Sequence, residues 1–466
     1  MNPIRFDLAL VAGLAFLAAC KGDESDTDID TDVVSDTDTD TDTDTDTDTD
    51  SDTDTDTEPP LECQDETKPC VITPADTLTA NLTLEENGFY LFQGKVVVGD
   101  DSGSYTMTIG KGATLFFDTT QLSYLIIARG SKLNVNGTAA APVVMTSAKA
   151  DGSRAPGDWG GLVINGKAPN NGCDDKPTGD CTQVGEAETG NYGGSVATDN
   201  SGTINYLRVE FGGRKFSDTV ELNGVALQGV GSGTTIDNLH VHFGADDAIE
   251  FFGGTVKVTH LILTGAQDDF LDWTGGWTGG VEFGVVQQYA LGETDNGIEA
   301  DNLDKKNDNQ PRSNPTIKNI TFVGNPTNAK SGNGMLLRRG TAGNISNAAV
   351  VGFLKACATV DGDATYAQVT AGTLKVTNSV FECATSFGNA ASETPFKTTW
   401  AGNTFQTLTG TASTNLETAA WSETAPNWKP KAGSEMTKGG TGTTYRGGVD
   451  PSASTLWYSW TSFPAN

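Results

Sequence analysis

The chain has 466 residues, with 61 Asp and Glu against 29 Lys and Arg, for a formal net charge of −32. That balance excludes nucleic acid as a partner, because phosphates select basic surfaces. The length is ample for a large core.

Residues 1–20 read as a targeting segment. Arg5 precedes an apolar run from Leu8 to Ala19, which ends in Leu17-Ala18-Ala19-Cys20. That string resembles a bacterial lipobox, and the whole segment resembles a lipoprotein signal peptide. The resemblance implies cleavage before Cys20 and a lipid on it, which would tie the protein to a membrane. The alternative is an ordinary secretory signal with a chance cysteine. The apolar run is too short for a comfortable span. Lys21 stands where many inner-membrane lipoproteins have Asp, which favours the outer membrane, at the cell surface or facing the periplasm.

Residues 21–60 are an acidic Asp-Thr linker closed by Pro59-Pro60. Residues 21–58 hold 18 acids and one Lys, a local charge of −17. Such a run has no apolar surface to bury, and its like charges extend it. A disordered stalk is expected. Six cysteines follow, and an even number in an exported chain suggests disulfides. Sequence proximity suggests 63–70, 173–181 and 357–383, out of 15 connectivities. A metal–thiolate site is disfavoured because no CxxC spacing occurs.

From about residue 71 the chain alternates short apolar runs with Gly, Asn and Thr, which reads as many short strands. Internal repeats decide the architecture. An early pair is TIGKGATLFF (108–117) and IARGSKLNVN (127–136), in which Gly112 and Gly130, and Leu115 and Leu133, are each 18 apart. A second series is TINYLRVEF (203–211), TIDNLHVHF (235–243), VKVTHLILT (256–264), TIKNITFVG (316–324) and NISNAAVVG (344–352). Leu207, Leu239, Leu261, Ile320 and Ala348 share one place in it.

A five-residue frame follows most of these units. It reads Ser217-Asp218-Thr219-Val220-Glu221, Asp246-Asp247-Ala248-Ile249-Glu250, Asp268-Asp269-Phe270-Leu271-Asp272, Asp295-Asn296-Gly297-Ile298-Glu299 and Gly332-Asn333-Gly334-Met335-Leu336. The second place is Asp or Asn, the fourth apolar, and the fifth acidic until Leu336. Repeats of 18–37 residues with short strands suit a parallel β-helix, in which stacked coils bury one continuous core. Parallel β-helix is therefore expected over 61–384. The 56 glycines disfavour a helical solenoid, and the 22-residue spacing is too short for propeller blades.

Residues 385–466 break the rhythm and carry Trp400, Trp421, Trp428, Trp457 and Trp460. An aromatic-rich cap over the open end is expected; an aromatic platform for sugar rings is the alternative.

GDWGGLVINGKAP (157–169), NSGTINYLRVEFGG (200–213), GVGSGTTIDNLHV (229–241), DDAIEFFGGTV (246–256) and YRGGVDPSASTLWYSWTSF (445–463) resemble bacterial β-helix lipoproteins of undefined function. The resemblance covers about residues 75–466. It implies a right-handed parallel β-helix related in shape to pectate lyases, and no settled activity.

Stacking sets the chemistry. Equivalent places lie about 4.8 Å apart on adjacent coils. The apolar fourth column points inward, and Glu221, Glu250, Asp272 and Glu299 point outward. The second column falls at a bend that Asn and Asp tolerate. Two charges at that spacing repel by roughly 3 kcal/mol at an effective dielectric near 20. Protonation, solvent or a bridging cation can relieve them. Hard oxygen ligands at this density suit Ca²⁺, with Asp246, Asp247, Glu250, Asp268, Asp269, Asp272 and Glu299 as candidate ligands. A solvated acidic face with structural bends is the alternative.

Arg338 falls in register beside Asp301. It reads either as a salt bridge ending the acidic strip or as the base of a lyase site, an arrangement that resembles β-helix polysaccharide lyases. DDAIE is similar to the DD motif of β-helix polygalacturonases, but their HG and RIK companions are absent. Asp247, Asp269 and Arg338 are the catalytic candidates if the protein is an enzyme.

Two functions follow. The first is a membrane-anchored envelope lipoprotein whose β-helix is a binding or structural module for glycans or envelope polymers. The second is a Ca²⁺-dependent polysaccharide lyase or glycosidase acting on acidic polysaccharide. The sequence favours the first over an enzyme.

Overall fold

A computed structural model describes residues 63–73, 78–173, 181–217 and 220–464. The targeting segment with Cys20, the Asp-Thr linker and Asp218 lie outside the described residues. No helix among the described residues is long and apolar enough to cross a membrane.

Almost every described strand pairs in parallel with the strand one coil away. One sheet of nine strands runs from Lys95–Val98 to Ala356–Val360, and a second of seventeen wraps the rest of each coil. We call them the cleft sheet and the long sheet. The apolar fourth column faces the interior, as alternation requires: Ile249, Leu271, Ile298 and Met335 are all fully buried.

Each middle coil contributes one long strand to the long sheet, such as Thr235–His242 and Thr316–Val323. Leu207, Leu239 and Leu261 stack in register there. Gly284 takes the next coil and Ile320 the one after. One left-handed residue bends each strand. Tyr206, Asn238, His260, Phe283 and Asn319 all have φ between 51° and 61°. In the last coils Asn347 and Asn378 hold the same conformation and split the strand in two. Asn tolerates it best, and Asn347 Nδ2 donates to Asn319 Oδ1 at 3.0 Å.

The early 18-residue similarity is not a coil repeat. Leu133 stacks on Met107, and Leu115 on Met145. The matching strands, Thr114–Phe117 and Lys132–Asn136, have Tyr124–Ile127 between them and stack on different partners, and they are alike because both start after a glycine turn. Trp159 is fully buried, stacked on Phe117 at 3.8 Å, with its indole N–H donating to Glu210 O. It packs the core.

All three short-range disulfides form: Cys63–Cys70, Cys173–Cys181 and Cys357–Cys383. The last is buried between coils.

The aromatic-rich segment divides in two. Phe396 and Trp400 close the end of the main core, where Thr404–Thr407 adds one more strand to the stack. Beyond it the chain turns back along the outer face of the long sheet. Trp428, Tyr458 and Trp460 pack there on Ile262, Val285 and Val323. Trp421 donates to Gly324 O, and Trp428 to Gln287 Oε1. These rings cover the side of the solenoid.

Candidate metal centre

The frame forms one wall of the solenoid, on the outer face of the cleft sheet. Its register is Glu250 to Asp272 to Glu299 to Leu336 to Thr359. The first step differs from the expected one. Ala226, not Glu221, lies below Glu250. Glu221 ends a short antiparallel hairpin with Lys215–Ser217, so the chain leaves the coil there and re-enters at Val225. The same shift gives Asn223 the second-column place expected for Asp218.

The second column is a hydrogen-bonded ladder. Asp247 Oδ1 accepts the Asp269 backbone N–H at 3.0 Å. Asp269 Oδ1 accepts both the backbone N–H and the side-chain amide of Asn296, at 2.6 and 2.9 Å. Asn296 Oδ1 does the same for Asn333, both at 2.8 Å, and Asn333 Oδ1 accepts the Thr359 hydroxyl. Asp247, Asp269 and Asn296 thus each satisfy a buried amide at the next bend, which explains Asp or Asn at this place.

The remaining carboxylate oxygens share one cavity of about 400 Å³. Glu186, Glu221, Asp246, Asp247, Glu250, Asp268, Asp269, Asp272, Asp295 and Glu299 line it. All seven ligand candidates are brought together. Glu186 has no counterpart in the repeat and comes from the insertion after the Cys173–Cys181 loop. Asp295 holds the first place of its frame, in line with Asp246 and Asp268.

The wall is recessed, not flat. Asp246, Asp247, Glu250 and Asp269 are each at most 9% exposed. Asn223 Nδ2 donates to Glu250 Oε2 at 2.7 Å. Burial, together with neighbouring carboxylates, holds Asp247, Glu250, Asp269 and Asp272 well above the usual carboxylate range. Burial, then a hydrogen bond and charge from Glu221, pushes Asp246 up to about 9. Burial pushes Glu299 up to about 7 against the pull of Arg338.

Arg338 closes one end. Its Nε donates to Asp301 Oδ1 at 2.8 Å, and Nη2 pairs with Glu299. Arg339 Nη1 also reaches Asp301, at 2.7 Å. Asp301 and Glu299 hold the Arg338 guanidinium more firmly protonated than usual, although burial opposes them. The three histidines lie outside the cleft, on the long sheet.

The donor set fits a hard cation. Four trios offer oxygens within 4.8 Å of one another: Glu221/Asp246/Asp268, Asp247/Glu250/Asp272, Asp268/Asp269/Asp295 and Asp269/Asp272/Glu299. An ion 2.3–2.6 Å from each oxygen spans about 5 Å, which suits Ca²⁺ better than the tighter octahedron of Mg²⁺. Among the described residues Asp272 Oδ1 is buried and has no hydrogen-bond partner, and such an oxygen is costly unless something neutralises it.

Stacked parallel coils and a lateral cleft define a right-handed parallel β-helix protein. The family model of the pectate-lyase-like β-helix domain matches residues 76–430, and the chain belongs to that family. No curated protein and no solved structure matches the chain.

Proposed function

We propose that this chain is an envelope-anchored β-helix module that binds Ca²⁺ in its acidic cleft and holds acidic glycans or envelope polymers through that ion. The observation that carries the reading is the ten-carboxylate cavity with the buried, unpartnered Asp272 Oδ1. So much negative charge repels an acidic polymer directly. A bound cation reverses the local sign and leaves coordination positions for a polymer's own carboxylates. The pectate-lyase-like family supports a polysaccharide partner by fold analogy alone. Anchoring through a lipid on Cys20, at the outer membrane, follows from the lipobox-like string and remains part of this reading.

The lyase or glycosidase alternative draws on the same cleft, since carboxyls held protonated near neutral pH can serve as general acids. It asks more of the other groups. Arg338 as base would have to give up a proton that Glu299 and Asp301 hold. Asp247 and Asp269 each commit one oxygen to the ladder.

The test is a panel of acidic and neutral glycans presented to the full chain in Ca²⁺ and in EDTA, with reducing ends and unsaturated products assayed in parallel. Retention of acidic glycans in Ca²⁺ alone, with no products, supports the module. No retention in either condition sinks it. Product release that survives Arg338→Lys but not Asp269→Asn favours a glycosidase.

A further inference from the structure

The segment 456–464 lies on the outer face of the long sheet, and two histidines sit beneath it. His240 and His242 flank Val241 on Thr235–His242, so both point away from the coil interior. Both are nonetheless at most 1% exposed. Four contacts enclose them. His242 Nε2 meets Pro464 O at 2.9 Å, and His242 Nδ1 meets Thr264 Oγ1 at 2.7 Å. His240 Nε2 meets the same Thr264 Oγ1 at 2.9 Å, and His240 Nδ1 meets Thr461 Oγ1 at 2.7 Å.

The proton positions follow from chemistry. A carbonyl only accepts, so His242 Nε2 carries a hydrogen and donates to Pro464 O. In a neutral ring Nδ1 then accepts, which uses the Thr264 hydroxyl proton. Thr264 Oγ1 must therefore accept from His240 Nε2–H. His240 Nδ1 in turn accepts from the Thr461 hydroxyl. One directed chain runs from Thr461 through both neutral rings to Pro464.

A first added proton can reverse part of that chain, but it leaves a buried cation. A second makes two buried cations with ring centres 5.3 Å apart, and it leaves the Thr264 oxygen accepting from both rings while its own hydroxyl proton loses its ring acceptor. The surroundings offer little relief. Arg208 and Glu210 occupy the register places of His240 and His242 on the preceding coil and already pair with each other. Tyr289, 6.0 Å from His242, packs from the far side as an uncharged phenol. Residues 456–464 contain no charged side chain.

We propose that His240 and His242 form an acid-sensitive latch: neutral, they hold residues 456–464 on the long sheet, and protonated, they release it. Release uncovers an apolar strip, since Tyr458 and Trp460 belong to the cluster over Ile262 and Val285.

Hydrogen exchange of the full chain, corrected for intrinsic rates, reads the latch directly. Each histidine raises the opening constant of 456–464 by up to about tenfold per pH unit below roughly 6.5, while the strand Lys257–Thr264 stays protected. The double variant His240→Gln/His242→Gln keeps an N–H donor at each Nε2 place and cannot take the proton, so its segment stays protected at pH 5. Thr264→Val breaks the middle of the chain and loosens the segment already at pH 7.5. With ¹⁵N-labelled histidine at pH 7.5, both rings show the Nε2–H form. Equal protection of the wild-type segment at pH 7.5 and 5, an Nδ1–H form, or the same acid release in the double variant would overturn the latch.

Discussion

Asp272 lies one coil from Glu250 in unbroken parallel register, and both carboxylates open into the same cavity. At a coil spacing of about 4.8 Å the two charges repel by roughly 3 kcal/mol at an effective dielectric near 20. The fold keeps such a pair only where protons or a cation offset it.

Removing one charge therefore has opposite effects with and without metal. Glu250→Gln and Asp272→Asn raise the melting temperature in EDTA, because each relieves repulsion while keeping the side chain's size. In Ca²⁺ the wild type gains about 2.7 kcal/mol when the ion is at 100 times its Kd, and the variants gain far less. Melting curves in EDTA and Ca²⁺ check both halves.

The pH dependence has a definite sign. Carboxyls whose folded pKa is raised hold protons that the unfolded chain gives up above about pH 4. Metal-free stability is therefore lost as pH rises. The Glu299 contribution, with its pKa near 7, is largely lost by that pH, whereas Asp246 near 9 extends the loss through pH 7–9. That window lies above the histidine range, so the latch does not contribute. Cation binding runs the other way, displacing protons and tightening as pH rises. Melts in EDTA between pH 7 and 9, and proton release measured on adding Ca²⁺, test the two signs.

The Asx ladder is structural at Asn296. Asn296→Ala leaves the Asn333 backbone N–H and side-chain amide without their shared acceptor. The loss is roughly 2–3 kcal/mol, since buried donors lose water without gaining a partner. Urea unfolding at fixed Ca²⁺ measures it.

Arg338 offsets the charge at the end of the strip. Arg338→Gln leaves Glu299 and the buried Asp301 with one fewer cation and destabilises the metal-free protein by about 2 kcal/mol, a value reduced for partial solvent exposure. Arg338→Lys keeps the charge and loses the two-point contact with Asp301, so its cost is smaller. Urea midpoints of the two variants rank them.

Much of this was legible in the sequence. The apolar fourth column, the Asx second column, the three disulfides and the Arg338–Asp301 contact all follow from periodicity and proximity. Three features did not. Glu221 carries the frame's spelling but sits in a hairpin, and spelling cannot reveal that the chain has left the coil. Glu186 reaches the cleft from an insertion, where no repeat marks it. His240 and His242 look like outward-facing strand residues until a segment more than 200 positions later folds over them.

Calorimetric titration of the full chain with Ca²⁺ decides whether the cleft holds the ion. The Glu250→Gln/Asp272→Asn double variant subtracts weak condensation on the Asp-Thr run. The expected result is a saturable binding event in the wild type that the variant loses, with an enthalpy that varies with the buffer's ionisation heat because protons are released. Identical titration curves for wild type and variant would contradict it.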